Sequence, residues 1–208
     1  RLRLNRSASW ATVPQLDGRV HMKKIIFAIL CSAILGAASY GDGLAGMFAY
    51  WETDDLDASE GYGIKLVGTE DPSGYLEFRV SRFSGFQSTD GSPSIEAEVT
   101  PIEAGMTYNL SKRDGFKIYL GGGGGYYLME ATVDAGAGER DADIDNEWGW
   151  YGVAGLELGL TGTLQLFAEG MYRSVDGAVP AGGVEGLDER LELEFDGLGG
   201  NAGVMWIF

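Results

Sequence analysis

The residues able to do chemistry lie scattered through runs of alternating apolar and polar side chains. Glu77, Arg79 and Ser81 alternate with Leu76, Phe78 and Val80, Glu157 stands between Leu156 and Leu158, and Glu169 and Arg173 oppose Leu166, Ala168 and Tyr172. In an extended chain successive side chains point to opposite faces, so each of these charges lies on the face opposite its apolar neighbours. If the apolar rows face outward, Lys65, Arg79, Lys117 and Arg173 share an interior with Glu77, Glu96, Glu98, Glu103, Glu157 and Glu169. An unpaired buried charge is strongly unfavourable, so Lys65, Glu77, Arg79, Glu98, Glu103, Lys117, Glu157, Glu169 and Arg173 are expected to form an ion-pair network filling that interior.

Three other chemistries are open to inspection. Catalysis near neutrality favours a His base, and the chain has a single His, His21, and a single Cys, Cys31, both in the amino-terminal segment. A mechanism using only carboxylates would rest on Glu157 or Glu169, but such a Glu is more often an ion-pair partner, so no enzyme and no cofactor are expected. The five glycines at 121–125 lack the following helix, Lys and Ser/Thr of a phosphate loop, and instead suggest curvature or the close approach of a large side chain. Asp141, Asp143 and Asp145 space carboxylates as Ca²⁺ ligands could be spaced. Yet Asn146 and Gly152 stand where an EF-hand has its Gly and its last Glu, and a solvated acidic loop is the simpler reading.

The elements that must position these residues follow from composition. Of 208 residues 34 are Gly and 5 are Pro, 45% are hydrophobic, and the net charge is −16, which disfavours nucleic acid as a partner. Met22-Lys23-Lys24 precedes an apolar run from Ile25 to Leu35 and then Gly36-Ala37-Ala38. A basic start, a run too short to cross a bilayer and small residues at its end predict a signal peptide over residues 22–38. Residues 1–21 are basic and patternless, and are read either as translation from a start upstream of Met22 or as a long basic leader. Cys31 follows bulky Leu30 inside the apolar run, unlike a lipoprotein cysteine. Removing residues 1–38 takes six basic groups and one acid, leaving nine and thirty, a net charge of −21, with no Cys for a disulfide.

Downstream, no segment has a helical period. Alternation predicts strands over residues 44–52, 61–68, 75–83, 95–110, 116–128, 150–160 and 164–173, and an eighth from 191 to 208 with a slip at Asp196-Gly197. In the fourth strand the apolar parity changes at Pro101, from Ile95, Ala97 and Val99 to Ile102, Ala104 and Met106, which predicts a bulge there. Short turns, such as Asp71-Pro72-Ser73-Gly74, alternate with longer loops. From Phe116 to Tyr126 a tilted strand rises about 26 Å, close to an apolar membrane band. Aromatic residues mark both ends of it: Tyr108, Phe116, Trp206 and Phe208 at the short-turn end, Tyr50, Tyr126, Trp148, Trp150 and Tyr172 at the other.

The terminal Asn201-x-Gly203-x-x-Trp206-x-Phe208 resembles the assembly signal of outer-membrane β-barrel proteins, with Ala202, Val204, Trp206 and Phe208 as its apolar row. Pro101-Ile102 and Gly105 to Leu110, followed by Tyr119-Leu120-Gly121 to Tyr126, resemble the small eight-stranded barrels of the OmpA and OmpX type, over residues 43–208. The resemblance implies an all-β, eight-stranded antiparallel up-and-down transmembrane β-barrel occupying residues 39–208 in the Gram-negative outer membrane. Outer-membrane lipid, lipopolysaccharide and the barrel assembly machinery are its expected partners. The expected role is structural, or surface contact through loops 84–93, 131–147 and 174–190, with the acidic loop able to bridge through divalent cations to lipopolysaccharide phosphates. A small channel or hydrophobic-ligand conduit is the alternative; a soluble lipocalin-like barrel would need the opposite assignment of faces.

Overall fold

A computed structural model describes residues 43–54, 56–71, 73–88, 94–113, 115–134, 139–142, 146–179 and 191–208. The segments read as leader and signal peptide, residues 1–21 and 22–38, lie outside them, as do Pro72, Asp143 and Asp145. The described residues form strands β1 (Gly43–Thr53), β2 (Ser59–Asp71), β3 (Gly74–Ser88), β4 (Ser94–Arg113), β5 (Phe116–Asp134), β6 (Glu139–Ala142), β7 (Glu147–Gly159), β8 (Leu164–Ser174), β9 (Asp176–Val179), β10 (Leu191–Glu194) and β11 (Gly197–Ile207). Eight of them close a barrel in the order β4-β3-β2-β1-β11-β8-β7-β5, with β5 returning to β4. Every pairing is antiparallel, and β1 meets β11 in an unbroken register from Gly43↔Ile207 to Thr53↔Gly197. Closure gives each of the eight barrel strands a partner on both sides, which is what permits backbone to stand in lipid. Short β6 extends the ladder on β5, and β9 pairs with β10 as a separate hairpin beyond the break at Phe195-Asp196.

Several strands outrun the alternation that revealed them: β3 continues to Ser88 and β5 to Asp134, because polar residues past the apolar band still find ladder partners. The bulge expected at Pro101 is absent. The β4–β5 ladder runs through Pro101↔Tyr127 without a shift, and Val80↔Ile102 and Phe83↔Val99 keep one register on the other side. The shift lies on the neighbouring strand, between Ser84 and Phe86, where Gly85 has φ of 94°. A Gly reaches that conformation without the Cβ clash that any other residue meets. Ala97 and Val99 therefore face inward and are fully buried. What changes at Pro101 is the chemistry of the interior, not the direction of the side chains.

Outside, Phe48 (79% exposed), Leu120 and Leu198 belong to a surface of large apolar residues. Rings pair at its two rims, Tyr126–Trp148 at 5.1 Å and Trp150–Tyr172 at 5.5 Å on one, Trp206–Phe208 at 5.9 Å on the other. Such a surface would aggregate in water and matches the band and girdles that barrels present to lipid. Among the described residues no helix is long and apolar enough to cross a membrane; the crossing elements are strands.

Candidate functional site

Inside the barrel the side chains form three layers, apolar, ionic and apolar. The ionic layer is built on four glutamates, each given a Tyr hydroxyl and at least one cation. Glu157 accepts from Tyr75 at 2.9 Å and pairs with Lys117 at 2.7 Å. Glu169 accepts from Tyr119 at 2.7 Å, Lys65 at 2.6 Å, Arg79 at 3.2 Å and Asn201 at 3.0 Å. Glu77 accepts from Tyr151 at 2.9 Å and Arg79 at 2.6 Å. Glu103 accepts from Tyr127 at 3.0 Å and Arg173 at 2.9 Å, with Arg79 Nε 3.9 Å away. Among the described residues four cations thus face four carboxylates, and all but Lys117 are buried. The arrangement is neutral as a whole, which is how buried charge becomes tolerable.

Strand geometry brings these residues together. Lys65, Arg79, Glu103, Tyr119, Tyr151, Glu169 and Asn201 sit at inward positions of seven different strands. Gly155, opposite Tyr119, makes room: a Cβ there would clash with Cζ and the hydroxyl of Tyr119. Met171 Sδ receives Arg79 Nη1 and Asn201 Nδ2, each at 2.8 Å.

Of the nine residues expected in the network, eight meet here and Glu98 does not. It is 39% exposed and paired with Arg82 on the outer surface, and Glu96 is likewise exposed. The physical reason is the missing bulge: with continuous register Glu98 keeps the parity of Ile102 and Ala104, opposite Glu103. Alternation alone does not assign the four tyrosines to the network; the one signal is parity, Tyr119 sharing that of Lys117 and standing between Ile118 and Leu120.

The two flanking layers are likewise not marked by the sequence pattern. Toward the long-loop end, Trp51, Phe83, Phe86, Ala97, Val99, Met129, Val175 and Phe195 form one buried cluster with Leu56 and Tyr127. The Arg173 guanidinium closes its lower side, 5.0 Å from the Trp51 ring centre and 5.4 Å from that of Phe83. Toward the short-turn end, Ala45, Met47, Val67, Tyr75, Phe167 and Met205 form a second cluster, with Lys65 4.0 Å from the Phe167 ring centre. Alternation cannot separate an apolar residue facing lipid from one facing an apolar core.

The remaining expected residues are placed as follows. Asn201 points inward to Glu169, Gly203 sits inward against the Phe167 ring, and Trp206 and Phe208 project outward. Asp141 lies on β6, opposite Thr132, with its side chain outside the described residues. Among the described residues no group of three acidic, His or Cys side chains could hold a metal ion.

No family model and no curated relative matches the chain. Among solved structures it is similar to the outer membrane protein OprG from Pseudomonas aeruginosa, with a TM-score of 0.67 and 14% identity, over 81% of this chain and 96% of that one. It is also similar to the outer membrane protein AlkL, solved by solid-state NMR in DMPC lipid bilayers, with a TM-score of 0.51 and 16% identity, over 100% of this chain and 97% of that one. The likeness is one of fold, that of the small outer-membrane barrels.

Proposed function

We propose that this chain, with the fold of small eight-stranded outer-membrane barrels, stands in the outer membrane as a plugged, non-conducting barrel with a structural and surface-contact role. The supporting observation is the interior: a neutral lattice of four cations and four carboxylates closed on both sides by buried apolar side chains. Ions crossing it would have to break charge-assisted hydrogen bonds that have no replacement in an apolar surrounding. Residues 39–208 would be the barrel left after loss of a signal peptide at 22–38. Asn201, Gly203, Trp206 and Phe208 would be read by the assembly machinery, and the segments 84–93, 131–147 and 174–190, whose described parts lie largely in strands β3, β5, β6 and β9 rather than in loops, would meet lipopolysaccharide or a surface partner. This reading assigns no catalysis: residues 43–208 contain neither His nor Cys, and Glu157 and Glu169 are engaged in ion pairs with Lys117 and Lys65.

Planar-bilayer recording of the purified protein tests it. Silent bilayers are expected. Stable ion steps that vanish when Glu77 or Arg79 is changed would overturn the plugged lumen. A second reading, a conduit for hydrophobic ligands, draws support from the apolar cluster at the long-loop end, where Phe83, Phe86 and Phe195 would receive an apolar molecule. It requires in addition a route past the Arg173–Glu103 pair.

A further inference from the structure

The lipid-facing side of the barrel wall is uneven around β5. Phe116, Ile118 and Leu120 stand there in one outward row, because residues two apart on a strand share a face. Ile118 pairs with Leu156 and Leu120 with Ala154, and these pair in turn with Ala168 and Gly170 on β8. Small residues beside a row of large ones leave a recess of about 400 Å³, lined by Phe116, Ile118, Leu120, Ala154, Ala168 and Gly170. Gly170 belongs to open space rather than to packed wall, since a Cβ on it would meet nothing within 4 Å. On the other flank of β5, Leu76, Met106 and Tyr108 border a second recess of about 450 Å³ that reaches Gly74 at the short-turn end. Leu120 lines both, so one side chain separates the two recesses.

A cation stands at the turn from which β5 starts. Of the short turns at 71–74, 111–115 and 161–163, only that at 111–115 carries basic residues, Lys112 and Arg113, against one acid, Asp114. Arg113 pairs with Phe116 in the β4–β5 ladder, and Phe116 with Leu158. Directly opposite residues of antiparallel strands share a face, and Leu158 is exposed on the outer wall. Arg113, itself exposed, therefore stands on the outer wall beside the residue at which the first recess begins.

We infer that this flank of β5 is a specific site for one two-chain anionic phospholipid of the leaflet at the short-turn end, its phosphate bonded to Arg113 and its tails straddling Leu120, one in each recess. Position selects acyl chains as occupants, because both recesses lie on the apolar band that such barrels present to lipid. Number selects a two-chain molecule, since the recesses share one wall as two tails share one glycerol. Charge selects the headgroup: Arg113 bonds a phosphate strongly, whereas a zwitterionic headgroup brings an ammonium of its own that competes for it. The site gives the lipid contact a chemistry and a stoichiometry, and it needs the lipid-facing wall but not the plugged lumen.

The test titrates the full chain, purified in a sugar-headed detergent without phosphate, with dioleoyl phosphatidylglycerol. The methyl resonances of Ile118 and Met106, one in each recess, are followed. Expected are saturable shifts of both with the same half-saturation and one lipid per barrel. Single-tailed lysophosphatidylglycerol and dioleoyl phosphatidylcholine should each bind at least about fivefold more weakly. Arg113→Gln should weaken phosphatidylglycerol binding about fivefold, the effect of one basic residue at an anionic lipid surface, and leave binding of uncharged dioleoylglycerol unchanged. Gly170→Leu fills the first recess and should abolish the Ile118 response. Heat-modifiable gel migration reports whether that variant folds, and Arg113→Gln, in a turn, tests the site independently of it. Non-saturable shifts, movement of one methyl alone, equal binding of phosphatidylcholine or an unchanged affinity in Arg113→Gln overturns the site. Shifts that follow protein concentration instead of lipid overturn it too, and make this face an interface between copies. Ion steps in planar bilayers defeat the plugged lumen and leave the lipid site standing.

Discussion

Arg79 reaches three of the four glutamates of the ionic layer. It bonds Glu77 and Glu169, lies 3.9 Å from Glu103, and stacks 5.1 Å from the centre of the Tyr151 ring. Arg79→Met would leave carboxylates buried without their cation, and breaking a buried pair from one side costs about 3–5 kcal/mol. Urea unfolding in lipid vesicles should show that loss. Glu98→Ala, which removes an exposed pair with Arg82, should cost no more than about 1 kcal/mol in the same assay. If the two variants unfold alike, Glu98 and Arg79 are not on opposite faces of the wall. Parity reveals that Lys65 and Glu169 each face inward, but the 2.6 Å between them spans 104 residues of sequence and depends on how the barrel closes.

The strands themselves are specified by local pattern, and their exceptions by local contacts. Gly155 faces the Tyr119 ring, whose hydroxyl donates to Glu169, so Gly155→Leu would push that ring out of the lattice. The expected outcome is a sharp fall in the heat-modifiable, folded fraction on unboiled gels. Gly85 is a different case: a Cβ there meets nothing within 4 Å, and only its φ of 94° resists substitution. Gly85→Val should therefore cost about 1–2 kcal/mol, and Gly85→Asn visibly less, because Asn tolerates the left-handed region. Equal costs would mean that packing, not backbone, fixes this bulge. Pro101 suggested a bulge from its missing donor, yet the β4–β5 ladder carries it in register, and the partner strand supplies the irregularity instead.

The molecule as a whole turns ordinary protein organisation inside out over its lipid-facing band while keeping apolar clusters at both ends of its interior. Leu120 is half-exposed and lies midway between the aromatic rims. Leu120→Arg should destabilise the barrel by about 2–4 kcal/mol in bilayers, falling toward zero for an Arg placed near a rim. A neutral effect at Leu120 would contradict the membrane-spanning assignment. By itself the sequence determined the all-β class, the even number of strands, their length against the membrane and the faces of most side chains. All of these follow from a two-residue period that any short window carries. Only the tertiary structure decided that Ala97 and Val99 belong to an interior cluster, that Glu98 faces outward, that each buried glutamate takes a tyrosine, and that the ionic layer lies between two apolar ones. Those outcomes depend on register across strands distant in sequence, and register is set when the sheet closes on itself, through contacts that no local pattern records.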